Sequence, residues 1–96
     1  MSLEISQAAA KWYKEEFDLE DGDYVRFFVQ LYGGIPTSHP NYFLAVSVGK
    51  EGQVAMSQTV EGITFYVNEN DKWILEQFHM TIDLKDGEAH IKLEEK

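Results

Sequence analysis

Asp86-Gly87, flanked on both sides by residues that alternate between apolar and polar, is the tightest constraint in the chain. A two-residue turn of this composition fixes the register of a β-hairpin. That register pairs Leu84 with Ala89, Ile82 with Ile91, and Met80 with Leu93, so each apolar residue meets an apolar partner. The opposite face sets Lys85 against Glu88 and Asp83 against His90, pairs that a slip of one residue would lose. The sequence therefore predicts a terminal hairpin with one face on a core.

The same period of two recurs upstream. From Tyr24 to Tyr32 the odd positions Val25, Phe27, Val29 and Leu31 are apolar, and residues 42 to 48 repeat the pattern through Tyr42, Leu44, Val46 and Val48. A weaker strand is expected over 54 to 60, joined through Glu61-Gly62 to a strand over 63 to 67. Residues 6 to 17 read differently. Ala9, Trp12, Tyr13 and Phe17 fall at helical spacing with Ser6 as the natural N-cap. A second short helix is expected near residues 70–78, after the polar stretch 68 to 71 and around Trp73, Ile74, Leu75 and Phe78. The opening Met1-Ser2-Leu3 has no pattern of its own and is read in part as an appended scar.

A chain of 96 residues with six Phe, five Tyr and two Trp has enough buryable surface for one core, and a single domain over residues 1–96 is expected. Eight Lys and Arg against seventeen Asp and Glu give a net charge of −9. Such a surface repels phosphate backbones and anionic lipid, so nucleic acid and membrane are excluded as partners. No apolar run is long enough to span a bilayer and no signal-peptide order is present, which makes the cytoplasm the expected location. With no cysteine, disulfides, thiolate nucleophiles and thiolate metal sites are ruled out.

The chemistry-bearing residues are sparse. Gly33-Gly34-Ile35-Pro36-Thr37-Ser38-His39-Pro40 interrupts two apolar strands with a loop longer than a hairpin needs, and loops of that kind often carry binding functions. It has no lysine after its glycines, so it is not a P-loop. Ser38-His39 are sequence neighbours and lack a nucleophile elbow, which argues against a hydrolytic pair. His39, His79 and His90 have no helical zinc spacing. The acidic run from Glu15 to Asp23 fails the EF-hand frame, since Phe17 would occupy the first ligand position. Arg26, the single arginine, is expected in a structural ion pair. No metal, cofactor or catalytic residue is expected.

The order of Ile5-Ser6, Ala9-Ala10-Lys11-Trp12, Tyr24-Val25-Arg26-Phe27-Phe28-Val29, Tyr32-Gly33-Gly34 and Gly62-Ile63-Thr64-Phe65-Tyr66-Val67 resembles the HesB-like family, which includes the A-type iron-sulfur carriers. The similarity runs over about residues 3 to 84. It implies a mainly β, α+β fold: a pseudobarrel of mixed sheets capped by the N-terminal helix. In the carriers a cysteine follows the glycine loop and a Cys-x-Cys pair lies near the C-terminus. Ile35 occupies the first position here, and the ending Leu93-Glu94-Glu95-Lys96 has no counterpart to the pair, so cluster binding does not transfer.

The resulting expectation is a cysteine-free HesB-like protein, nominally of iron-sulfur cluster biosynthesis, acting as a non-catalytic binding or accessory domain. Its partner, a protein or small ligand, is expected at Tyr32, Gly33, Gly34, Ile35, Pro36, His39 and Tyr42, where aromatics offer contact area at low entropic cost. The resemblance also makes a homodimer possible. The alternatives are a weak iron-binding accessory using histidine and carboxylate ligands, and a small hydrolase.

Overall fold

A computed structural model describes residues 2–30, 35–38 and 43–96. In chain order the elements are β1 (Leu3–Ile5), α1 (Gln7–Glu16), β2 (Tyr24–Val29), β3 (Ile35–Pro36), β4 (Phe43–Val48), β5 (Val54–Val60), β6 (Ile63–Asn68), a 3-10 turn (Glu69–Asp71), α2 (Lys72–Gln77), β7 (Phe78–Lys85) and β8 (Glu88–Glu95). The strands form two sheets, ordered β1-β7-β8 and β3-β4-β2-β6-β5. Both are mixed, because β1 runs parallel to β7 and β2 parallel to β6 while the other pairs are antiparallel.

The β7–β8 hairpin has the expected register, with Met80 opposite Leu93, Ile82 opposite Ile91, Leu84 opposite Ala89, Asp83 opposite His90 and Lys85 opposite Glu88. Asp86 and Gly87 both take positive φ, 54° and 84°, as a turn matching the strand twist requires. α1 begins where Ser6 Oγ accepts from Ala9 N at 3.1 Å, and it lies against β7 and β8. Its Tyr13 ring reaches the other sheet, edge-on to Phe27 at 5.8 Å and tilted against Phe65 at 5.7 Å. Phe17, expected on the core face, is instead the exposed C-cap. The core lies between the sheets and is filled by Leu3, Val25, Phe27, Leu44, Ile63, Phe65, Ile74, Met80, Ile82 and Ile91, with α1 closing one side.

One departure from the sequence reading bears on function. Leu3, read as part of a scar, is fully buried in β1, where Ile5 pairs with Ile82. The expected mainly β, α+β architecture of mixed sheets is observed, as two sheets and not as a closed barrel. At one seam the facing strands β1 and β5 are bridged by a side chain, with Gln58 Oε1 accepting from Ile5 N at 2.7 Å. At the other, Ser38 Oγ accepts from Leu93 N at 2.8 Å and donates to Leu93 O at 3.0 Å, joining the segment after β3 to β8. Side chains thus do at the seams what a ladder does within a sheet.

Candidate functional site

Opposed residues in a sheet share a face, so the pairs Arg26/Ser47, Phe28/Ala45, Pro36/Phe43 and Arg26/Tyr66 define the side of the five-stranded sheet turned away from the core. Its two halves differ. Over β6 the face is covered: Tyr66 OH donates to Gly49 O at 2.8 Å and accepts from Glu51 N at 2.6 Å, while Asn68 Nδ2 donates to Glu51 O at 3.3 Å. These bonds fold residues 49–53 down onto the sheet. Arg26 completes this half, pairing through Nη1 with Glu51 at 2.6 Å and through Nη2 with Asp71 at 3.0 Å. Its guanidinium also lies over the Phe28 ring at 4.6 Å. Arg26 is the structural ion pair the sequence implied.

The other half is apolar and more open. Phe28, Phe43 and Ala45 are half-buried, and β3 lies beyond them at the sheet edge with Pro36 exposed and Ile35 43% exposed. Proline suits such an edge because it has no N–H to offer a further strand. Of the expected binding residues, Ile35 and Pro36 therefore sit at the exposed sheet edge, Pro36 on the outer face with Phe43 and Ile35 on the opposite face, paired with Leu44. Tyr32, Gly33, Gly34, His39 and Tyr42 lie outside the described residues.

The remaining polar groups are engaged structurally. The Ser38 hydroxyl, weighed as a nucleophile, is used as both donor and acceptor by the Leu93 backbone. One cleft of about 340 Å³ is lined by Ile5 and Gln58 of the bridge, and another of about 300 Å³ lies between Ser2, β5 and α2. In the first, Ser6 caps α1 and hydrogen-bonds Asp83; that bond, with the Leu84 amide second, holds the Asp83 carboxyl below its usual range. The second is floored by Ala55, Met56 and Leu75, with Glu69 and Lys72 paired at its rim. In the acidic run, Asp21 pairs with Lys14 at 2.6 Å, a bond that raises the ammonium above its ordinary value, and Asp23 Oδ2 accepts from Glu20 N at 2.8 Å. Among the described residues no three histidine or carboxylate groups gather to hold a metal ion, and no helix is long and apolar enough to cross a membrane.

Sequence reasoning missed β3 as a strand, the Ser38 bridge and the Gln58 bridge. A two-residue strand has no period to detect. The only available signals were a serine and a glutamine of a kind found at any surface.

No family model matches the chain. It is 37% identical over 82 residues to the pyruvate dehydrogenase inhibitor of Bacillus subtilis (strain 168), covering 85% of each chain. It is 34% identical over 89 residues to an uncharacterized protein of Staphylococcus saprophyticus, covering 91% of each, and 26% identical over 98 residues to an uncharacterized protein of Staphylococcus aureus, covering 100% of each. No HesB or iron-sulfur name occurs among these relatives, and the one with a functional name is an inhibitor. The expected HesB-like membership, the role in iron-sulfur cluster biosynthesis and the iron-binding alternative are therefore withdrawn. The motifs behind them were a capped helix face, alternating strands and glycine turns, patterns that report secondary structure and not chemistry. The coverage and identity place this chain in the family of the Bacillus subtilis pyruvate dehydrogenase inhibitor.

Proposed function

We propose that the protein is a non-catalytic regulator, a single domain that binds pyruvate dehydrogenase and lowers its activity. The observation carrying this reading is the 37% identity to the Bacillus subtilis inhibitor over 85% of both chains. The engagement of the Ser38 hydroxyl by a backbone pair supports the absence of catalysis. The contact surface in this reading is the β3 edge, with Pro36 on the face it shares with Phe43 and Phe28 and Ile35 on the other side of the strand, opposite Leu44. Exposed aliphatic and half-buried aromatic groups of this kind form the desolvated centre of protein interfaces, and the rim belongs to the loop that interrupts the strand pattern.

The test is titration of the purified protein into pyruvate dehydrogenase, following pyruvate turnover and complex formation by gel filtration. Saturable inhibition with a co-eluting complex is expected. Ile35→Asp is expected to melt within about 3 °C of wild type and to inhibit about tenfold more weakly. Undiminished turnover at saturating protein, with no complex, refutes the regulatory reading. Full inhibition by Ile35→Asp refutes only the placement at the rim.

A further inference from the structure

Ser38 holds the rim in place from the far side. Leu93 lies opposite Met80 in the hairpin, yet Met80 N donates to Ser2 O at 2.7 Å, towards β1 and away from β8. Met80 and Leu93 are thus a pair whose backbone groups point apart, and those of Leu93 face outward along the edge of β8. A strand edge in that state pairs with whatever chain presents a donor and an acceptor. Ser38 Oγ presents both, at 2.8 Å to the Leu93 N–H and 3.0 Å to its carbonyl. Residues 35–38 therefore bridge the sheets, with Ile35 and Pro36 paired to Leu44 and Phe43 at one end and Ser38 fastened to Leu93 at the other. The fixed φ of Pro36 stiffens the span.

We infer that Ser38 is a positioning residue for partner binding: its clasp on Leu93 sets the conformation in which Ile35 is offered. This inference rests on the reading that the β3 rim meets pyruvate dehydrogenase. A segment held at both ends has little freedom left to lose on association, so the clasp favours binding without touching the partner. Ser38 makes its contribution through preorganisation, and Ser38→Ala removes only the hydroxyl that makes the clasp.

The test compares wild type with Ser38→Ala and Ser38→Thr, reading melting, amide exchange at Leu93, and inhibition together with association and dissociation rates. Ser38→Ala is expected to melt within a few degrees of wild type, to exchange the Leu93 amide about tenfold faster, and to bind about tenfold more weakly. Ser38→Thr, which keeps the hydroxyl, restores both exchange and binding. Faster Leu93 exchange with unchanged inhibition overturns the positioning role while leaving the regulatory reading intact. Unchanged exchange overturns the clasp itself. No inhibition by wild type overturns the regulatory reading, and this inference falls with it. If Ser38→Ala unfolds, Ser38→Thr against the isosteric Ser38→Val decides, since equal inhibition by both shows that the hydroxyl does not matter.

Discussion

Arg26 and Asp71 meet at 3.0 Å with each side chain only 13% exposed, so this ion pair, and not the Arg26–Glu51 contact, bears the electrostatic cost of burial. Glu51 also bonds Arg26, but its side chain is 70% exposed and well solvated. Among the described residues Arg26 Nε has no partner, which leaves the guanidinium dependent on the carboxylates it has. The pair fixes the 3-10 turn ahead of α2 to the outer sheet face and so shapes the covered half of that face.

Removing either carboxylate separates the two contributions. Asp71→Ala leaves a largely buried cation with only the solvated Glu51 as its partner and is expected to cost about 2–4 kcal/mol. Glu51→Ala removes a solvated partner and is expected to cost under about 1 kcal/mol. Urea unfolding of the two variants measures both, and equal losses would show that the pair is not a buried one.

Alkaline pH acts on the core through Tyr13, whose burial between the sheets pushes its hydroxyl up to about 12. The unfolded tyrosine ionises near its ordinary value of 10.0. The stabilising contribution is therefore complete below pH 10 and declines as pH rises from there towards 12, by up to about 3 kcal/mol. Stability measured by chemical denaturation between pH 9 and 12 is expected to fall less steeply in Tyr13→Phe than in wild type, with lysine titration common to both. Parallel curves would show that Tyr13 is not the group responsible.

The hairpin was legible in the sequence because two independent signals, turn chemistry and alternation, agree on one register. α1 was legible for the same reason, with a cap and a helical period meeting at Ser6. β1 was not, because three residues cannot establish a period and the parallel partner that buries Leu3 lies near the other end of the chain. The seams were invisible for a further reason: Gln58 and Ser38 satisfy backbone groups that exist only once the sheets have come together. Ile35 and Pro36 were singled out by belonging to the loop that interrupts two strands, while the resemblance that assigned the chain a family read shared secondary structure as shared chemistry. The covered half of the outer face was half-legible, since Arg26 announced an ion pair but not Asp71 as its buried partner.

Gly62 and Gly87 both take positive φ, at 77° and 84°, but differ in their surroundings. A Cβ on Gly87 would meet nothing within 4 Å, whereas one on Gly62 would lie 2.6 Å from Asp21 Oδ1, an atom held by Lys14. Gly87→Ala is expected to cost about 1 kcal/mol from backbone strain alone. Gly62→Ala carries the same strain and must also displace Asp21, adding roughly 1 kcal/mol. In an Asp21→Ala background most of that excess is expected to go, because the carboxylate in the way has gone and only the Asp21 Cβ position, 3.2 Å away, is left close. A double-mutant cycle by urea unfolding reads the coupling directly.

Ser6 links the start of α1 to β7, since its hydroxyl accepts from Ala9 N at 3.1 Å and also bonds the Asp83 carboxylate. The Ser6 hydroxyl, followed by the Leu84 amide, favours the ionised form of Asp83 and lowers its pKa below the ordinary carboxylate value. A depressed folded-state pKa gives stability that is present above the unfolded value and is lost as pH falls through the folded one. Ser6→Ala is therefore expected to lose about 1 kcal/mol at neutral pH through the missing helix cap. It should also show a shallower acid limb below pH 4, because Asp83 then titrates closer to its unfolded value. Ser6→Asp, which keeps a capping oxygen but offers no donor when ionised, separates the two effects: it is expected to recover most of the neutral-pH stability without restoring the wild-type acid limb. An acid limb in Ser6→Ala that overlays wild type would show that the Ser6–Asp83 bond does not couple the helix cap to protonation.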